Sequence, residues 1–346
     1  MTLTNQIRVV RVAGFGGPEV LLPRSAAALR PGPGEAVIAV SVADVLFLDT
    51  MIRSGRFADG FPITPPYVPG NGVSGQVIET GDGVDPGWAG RLVVAHTGTH
   101  GGTGGYADQA VVPAERLVPV PSGVDPRVAA ALMHDGATAL GLMKRIGARP
   151  GEWVLVVGAA GGLGLLLVQL ARASGARVIG AARTSGNSRS AEKLNAIVKA
   201  GAEVVVDYSE PDWTRLVVEA TGGAGPDVVY DGVGGRLGRA AFGVIAAGGR
   251  FSAHGAAGGG FAVISQEMAA ERQVHVQGIE QAQYSPGQRE ELISQALLLA
   301  ADGRLEPVIG QVFPLEQAAR AHAALAARSV IGKTLLMVGL RRSPRP

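Results

Sequence analysis

Val154-Leu-Val-Val-Gly-Ala-Ala-Gly-Gly-Leu-Gly164 is the stretch on which the fold turns. Its apolar opening predicts a buried strand over Val154–Val157. Glycines at 158, 161, 162 and 164 then make a tight turn, and the apolar run Leu163–Ser174 predicts a helix directly after it. A strand, a glycine turn and a helix in that order leave backbone N–H groups open at the helix N-terminus, where the helix dipole favours negative charge. Side chains would hold a diphosphate away from that backbone, whereas glycines admit it. Gly161, Gly162, Leu163 and Gly164 are therefore the expected cradle of a dinucleotide pyrophosphate. The alternative is a glycine-rich turn with no ligand.

The chain around this stretch alternates. Strands are predicted at Arg177–Gly180, Glu203–Val206, Asp227–Tyr230 and Arg250–Ser252, with helices near Ala191–Ala200, Trp213–Ala220 and Ala240–Ile245 between them. This alternation predicts an α/β fold with a doubly wound parallel sheet, a Rossmann domain over 127–280 that opens with the Ala/Leu-rich helix Pro126–Ile146. Cofactor choice is read at the end of the second strand. Arg177-Val-Ile-Gly-Ala-Ala-Arg-Thr-Ser-Gly186 has no carboxylate to hold a ribose 2′-hydroxyl and offers Arg183, Thr184 and Ser185, with Arg189 further on. A cation with hydroxyls suits a 2′-phosphate, so NADPH (NADP+) is expected over NADH. Otherwise Arg183 and Arg189 are solvated loop residues.

Upstream the pattern is different. Ala36–Val42, Val73–Glu79 and Arg91–Ala95 are short β-prone runs bounded by Gly and Pro, which predicts a compact β-barrel-like unit. The helix Gln288–Ala301 and the strand Lys333–Val338 are expected to return to that unit, making it discontinuous over 1–126 and 281–346. Composition narrows the classes. The 346 residues are 47% hydrophobic and 17% charged, which suits two folded domains. A net charge of +2, with no basic stripe and its interleaved aromatics, argues against nucleic acid as a partner. There is no cysteine, so disulfides, thiolate nucleophiles and Cys-ligated zinc are excluded. Met1–Val12 lacks a signal-peptide layout and the longest apolar run, Leu163–Ala171, is too short to span a bilayer, so a cytoplasmic protein is expected.

As a set, several motifs resemble the zinc-free quinone oxidoreductase branch of the medium-chain dehydrogenase/reductase superfamily. They are Gly16-Gly-Pro-Glu-Val-Leu21, Tyr67-Val-Pro-Gly-Asn-Gly-Val-Ser-Gly75, Gly104-Gly-Tyr-Ala-Asp108, Val112-Pro-Ala114, Gly158–Gly164, Asp227-Val-Val-Tyr-Asp-Gly-Val-Gly-Gly235, Gly248-Gly-Arg-Phe251 and Gly332-Lys333. The resemblance implies a GroES-like β-rich catalytic domain interrupted by the Rossmann domain. It implies Thr138 beside the nicotinamide, with Val233 and the His254-Gly255 backbone lining that pocket. Lys333 would lie near the cofactor phosphates and Tyr208 on the adenine side. It also implies a homodimer paired through the edge strand Val274–Ile279. The zinc-ligand positions of metal-dependent relatives correspond to Leu46, Asn71 and Gly72, so no catalytic metal is expected. Leu46, Met51 and Phe57 stand where many zinc-free relatives carry an asparagine and tyrosines, and read as an apolar substrate wall or as core.

Catalytic candidates follow from what remains. Asn71 could donate to a substrate carbonyl or serve only as a turn residue. Asp49 is a cleft candidate, but its simpler role is bracing the loop by pairing with Arg53. His96 and His134 are candidate proton donors. His96 and His100 also have a metal-like spacing, but the glycines around them argue for a loop and no third ligand is evident. The expected activity is NADPH-dependent hydride delivery to a conjugated, hydrophobic acceptor, either a quinone or an α,β-unsaturated carbonyl. Two alternatives stand: a biosynthetic tailoring reductase in which hydride addition to a polyene or enone triggers cyclisation, and an NADPH-binding sensor with little turnover.

Overall fold

The computed structural model describes residues 6–56, 63–98, 104–184, 189–280 and 284–339. In chain order the elements begin β1 (Gln6–Val12), β2 (Leu21–Ala27), β3 (Glu35–Val45), α1 (Phe47–Arg53), β4 (Gly72–Thr80), β5 (Leu92–His96), β6 (Gln109–Pro113), β7 (Val118–Pro119) and α2 (Pro126–Ile146). Then come β8 (Trp153–Val157), α3 (Gly162–Ala173), β9 (Arg177–Ala182), α4 (Ser190–Lys199), β10 (Val204–Asp207), α5 (Trp213–Ala220), β11 (Val228–Asp231), α6 (Gly235–Gly243), β12 (Arg250–Ala253), α7 (Gln266–Glu271) and β13 (His275–Gly278). The last are α8 (Pro286–Ala301), β14 (Ile309–Pro314), α9 (Ala318–Ala326) and β15 (Lys333–Met337).

Contacts divide the chain into two compact units. The first is Met1–His134 with Pro286–Arg304 and Ile309–Pro346, and the second is Asp135–Ser285 with Leu305–Val308. Where the sequence reading divides the chain at 126/127 and 280/281, the contacts divide it inside α2 and just before α8.

The first unit is a seven-stranded sheet ordered β14-β15-β3-β4-β5-β7, with β6 on β3 and the β1–β2 hairpin beside it. β3 is its spine. Its 11 residues are long enough to pair with β6 along Glu35–Ala39 and with β15 along Val42–Val45, while β4 runs down the other edge. Val, Ile and Ala on these strands bury one shared core with Tyr67, Tyr106, Leu315 and Leu336.

The second unit is a parallel sheet ordered β10-β9-β8-β11-β12-β13, the doubly wound arrangement expected. β8 sits centrally and all five of its residues are buried, as a strand covered on both faces requires. The structure moves some bounds. The helix read as Ala240–Ile245 is α6, which begins at Gly235. Gly234 and Gly235 take φ of 77° and 56°, so the helix starts from a left-handed glycine turn that helix propensity alone would skip. α1, β14 and α9 are elements that sequence pattern does not announce. Among the described residues no helix is long and apolar enough to cross a membrane.

Candidate active site

The second unit presents its ligand-binding features at the carboxyl ends of its strands. The strand order reverses between β8 and β11, the place where parallel sheets open a crevice. Gly158 leaves β8 with φ 85° and Gly161 caps α3 in extended conformation. A Cβ on Gly164 would lie 2.4 Å from the Gly158 carbonyl oxygen, so only glycine lets the helix sit this close to its strand. The N-terminus of α3 is left with bare backbone, Gly161 exposed and Gly162 half-buried. This fits a diphosphate: open N–H groups, a helix dipole and no side chain in the way.

Across the switch point, Val233 is buried and its Cγ2 would meet a Cβ on Gly158 at 3.1 Å. Gly255 packs backbone to backbone on Gly232 and Val233, where a Cβ would overlap atoms at 1.9 to 2.4 Å. Asp231 Oδ1 accepts the Val233 and Gly234 amides at 3.0 and 2.8 Å and holds this loop. His254 bonds Ser252 Oγ at 3.1 Å, and desolvation pushes its imidazole down to about 4, so it is neutral. Thr138 is half-buried on α2.

The region expected to choose the cofactor holds two residues that sequence reasoning missed. Arg183 is exposed just beyond β9, and its guanidinium pairs with no carboxylate among the described residues. Lys193, on α4, is 5% exposed and brings Nζ to 3.4 Å from the Arg183 carbonyl. Arg189 is instead engaged by Glu192 at 2.7 Å. Asp207, at the end of β10, takes the Thr184 hydroxyl and amide together with the Ser209 amide and hydroxyl. Burial would raise this carboxyl, but the Ser209 and Thr184 donors outweigh it and hold it low. The sequence has no carboxylate at the end of β9; the neighbouring strand supplies one. Tyr208 stacks edge-on against Trp213, ring centres 6.5 Å apart. Ser185 lies outside the described residues.

The first unit gathers the proton-handling candidates. His134 Nδ1 lies 2.9 Å from Asp44 Oδ2, and Lys333 Nζ lies 3.2 Å from the same oxygen. Asp44 is fully buried; burial would raise its carboxyl, but Lys333 and His134 hold it below its ordinary value. An ionised Asp44 fixes the hydrogen of the His134 ring on Nδ1 and leaves Nε2 as the other ring nitrogen. The His96 ring stands 5.1 Å from that of His134, and burial followed by the His134 charge pushes it down to about 3. His96 is therefore neutral, a poor proton donor beside His134.

Asp49 forms a second, separate network. It accepts Leu46 N at 2.9 Å, Asn71 Nδ2 at 2.8 Å and the Tyr106 hydroxyl at 3.3 Å. The first of these is a helix-start interaction, an acidic side chain reaching back to the amide before α1. Desolvation, helped by the Asp44 charge, raises Asp49 to about 6. The expected pairing with Arg53 is not formed, because Asp49 spends its oxygens on the helix start and on Asn71. Asn71 is itself buried, with one amide hydrogen committed to Asp49. Lys333 is likewise committed: at 4% exposure it is the buried counter-ion of Asp44. Leu46 is half-buried at the start of α1 and Met51 is buried; Phe57 and His100 lie outside the described residues.

The positions matching a zinc set do not fit that metal. Leu46 has no donor, and a Cβ on Gly72 would meet Met133 Cε at 2.4 Å and His134 Cε1 at 3.0 Å, so no acidic ligand has room there. Among the described residues no three His, Asp or Glu side chains group as a metal site.

Known proteins extend this geometry. Residues 32–122 match the alcohol dehydrogenase GroES-like domain, and residues 200–336 match a family described as zinc-binding dehydrogenase. The chain is 32% identical over 333 residues to a quinone oxidoreductase of Pseudomonas aeruginosa, spanning 95% of this chain and 98% of the relative. It is 31% identical to a 2-haloacrylate reductase of a Burkholderia species, spanning 93% and 96%. The Escherichia coli quinone oxidoreductase complexed with NADPH superposes with a TM-score of 0.86 at 28% identity, covering 96% of this chain and 100% of that one.

Proposed function

This chain belongs to the medium-chain dehydrogenase/reductase superfamily, in its quinone oxidoreductase-like branch, and on that premise we propose that it is a zinc-independent, NADPH-dependent reductase of conjugated carbonyl acceptors. The observation that carries the reading is the His134–Asp44–Lys333 arrangement beside Gly72. Where metal-dependent relatives would polarise a carbonyl, this chain presents a histidine backed by a buried carboxylate whose charge a lysine offsets. Acceptors whose developing charge is spread by conjugation need no strong Lewis acid, only hydride and a proton.

NADPH, when bound, supplies the hydride. The α3 cradle of Gly161, Gly162, Leu163 and Gly164 binds the pyrophosphate through backbone N–H groups. Arg183, with Lys193 behind it and Thr184 alongside, meets the 2′-phosphate. Val233, His254, Gly255 and Thr138 shape the nicotinamide pocket. A doubly protonated His134 gives its Nε2 proton to the anion left by hydride addition and returns to the Nδ1–H form, whose orientation Asp44 holds before and after transfer. Asp49 and Asn71 position α1 rather than touch the acceptor. Leu46 and Met51, apolar where related enzymes are read as polar, favour a hydrophobic acceptor. Among the described residues β13 has only β12 as a neighbour in its sheet, which supports pairing of two copies along 274–279.

The test is NADPH oxidation by purified protein with quinones, enones, a 2-haloacrylate and saturated ketones, with NADH alongside. Quinone or enone turnover, with NADH much poorer, is the expected outcome. His134→Gln should then lower kcat about 100-fold with little change in NADPH affinity. Equal reduction of saturated ketones, or tight NADPH binding without turnover of any acceptor, would sink the reading.

A further inference from the structure

The first unit also buries a cation that no carboxylate pairs with among the described residues. Arg53 ends α1 at 5% exposure. Its Nη2 reaches the Thr50 carbonyl at 3.5 Å, the outer limit of a hydrogen bond, and its Nε and Nη1 have no acceptor. No carboxylate pairs with it among the described residues. Asp49 is bonded elsewhere, and Glu19, whose charge acts on Arg53, is exposed and turned to the Gly17 amide. A guanidinium cannot shed its proton, so a buried one must find a countercharge or bear the cost of lacking it.

Two more buried polar atoms lack partners nearby. They are the Tyr67 hydroxyl, on a residue 2% exposed, and Nδ1 of His322, which is fully buried. The Arg53 charge acts on both side chains and on the Tyr106 phenol. α9, which carries His322, packs directly on α1. The Tyr106 hydroxyl lies 3.0 Å from His322 Nε2. We propose that Arg53, Tyr67 and His322 form an internal site for one small monovalent anion, a halide or a carboxylate as short as formate.

The donors match that ligand. Arg53 offers the three N–H donors of Nε and Nη1 and the charge, and Tyr67 offers a hydroxyl. The Tyr106 hydroxyl has one hydrogen: turned from Asp49 Oδ2 to His322 Nε2, it puts the ring hydrogen on Nδ1, which is then a further donor. Water would satisfy the N–H groups but leave the charge uncompensated. The occupant would tie α1 to α9 from inside, so its effect belongs to stability rather than turnover.

The test uses the full chain in two ways. Crystals soaked in sodium bromide should show an anomalous peak within hydrogen-bond reach of Arg53 Nε or Nη1. In solution, thermal unfolding should shift upward with millimolar chloride, bromide or formate over gluconate at equal ionic strength. Tyr67→Phe keeps the cation and should raise the halide concentration needed about tenfold, the worth of one hydrogen bond to a charge. Arg53→Met should abolish the shift; should that variant not fold, the bromide peak and the Tyr67→Phe titration decide alone. Water density in wild-type crystals with equal unfolding temperatures in halide, formate and gluconate overturns the proposal. So does an adventitious ion only, seen at molar bromide without any shift at 100 mM.

Discussion

Asp44 and Asp49 flank the start of one short helix and titrate in opposite directions. Asp44 keeps its charge because Lys333 and His134 stand on one of its oxygens. Asp49 has neutral donors only, and burial raises it to about 6 from an ordinary 3.8. Folding therefore makes Asp49 bind its proton more tightly. The stability this contributes is complete below pH 3.8 and is lost as pH rises through 6. Relative to Asp49→Asn, the wild type should lose about 2 kcal/mol between pH 4 and pH 6, measured by urea unfolding at each pH. A flat difference across that window would mean that Asp49 is ionised throughout. None of this is legible in the local sequence, where Asp49 and Arg53 look like a helical ion pair. The structure breaks the pair because Asn71 and the amide before α1 claim the carboxylate first.

At the scale of elements, the β8–α3 turn was legible in full, since every requirement in it is local. Gly158 supplies a positive φ, Gly161 an uncrowded cap and Gly164 the close approach of helix to strand. Gly164→Ala should force α3 off β8, costing about 1–3 kcal/mol of stability and weakening NADPH at least tenfold by fluorescence titration. Unchanged affinity would mean that the cofactor does not rest on this turn. The second strand–helix turn was legible only in part. Arg183 was visible as a free cation after β9, but Lys193 arrives from α4 and Asp207 from β10, and neither lies in the motif that carries the choice. Spacing cannot reveal a partner that a parallel neighbour brings alongside.

For the whole molecule, the Asp44–Lys333 pair joins strands from opposite ends of the chain, β3 and β15, which pair antiparallel with Leu335 opposite Asp44. Removing one partner strands a buried charge, so Asp44→Leu should cost about 3–5 kcal/mol by chemical denaturation. Adding Lys333→Met should recover most of that loss, because an apolar pair of similar volume replaces the ions. No recovery would show that His134 or the backbone, not the ion pair, sets the cost. The turnover lost in Asp44→Leu should not return in the double variant, since His134 still lacks its carboxylate.

By itself the amino-acid sequence determined the α/β class, the alternating domain, the glycine cradle and the absence of cysteine chemistry. These rest on periodicity, turn conformation and composition, all set within a few residues. Only the tertiary structure decided which polar side chains meet. His134 lies 90 residues from Asp44, and Tyr106 lies 216 from His322. Sheet register and helix packing bring them together, and burial then decides which of them keep their charge.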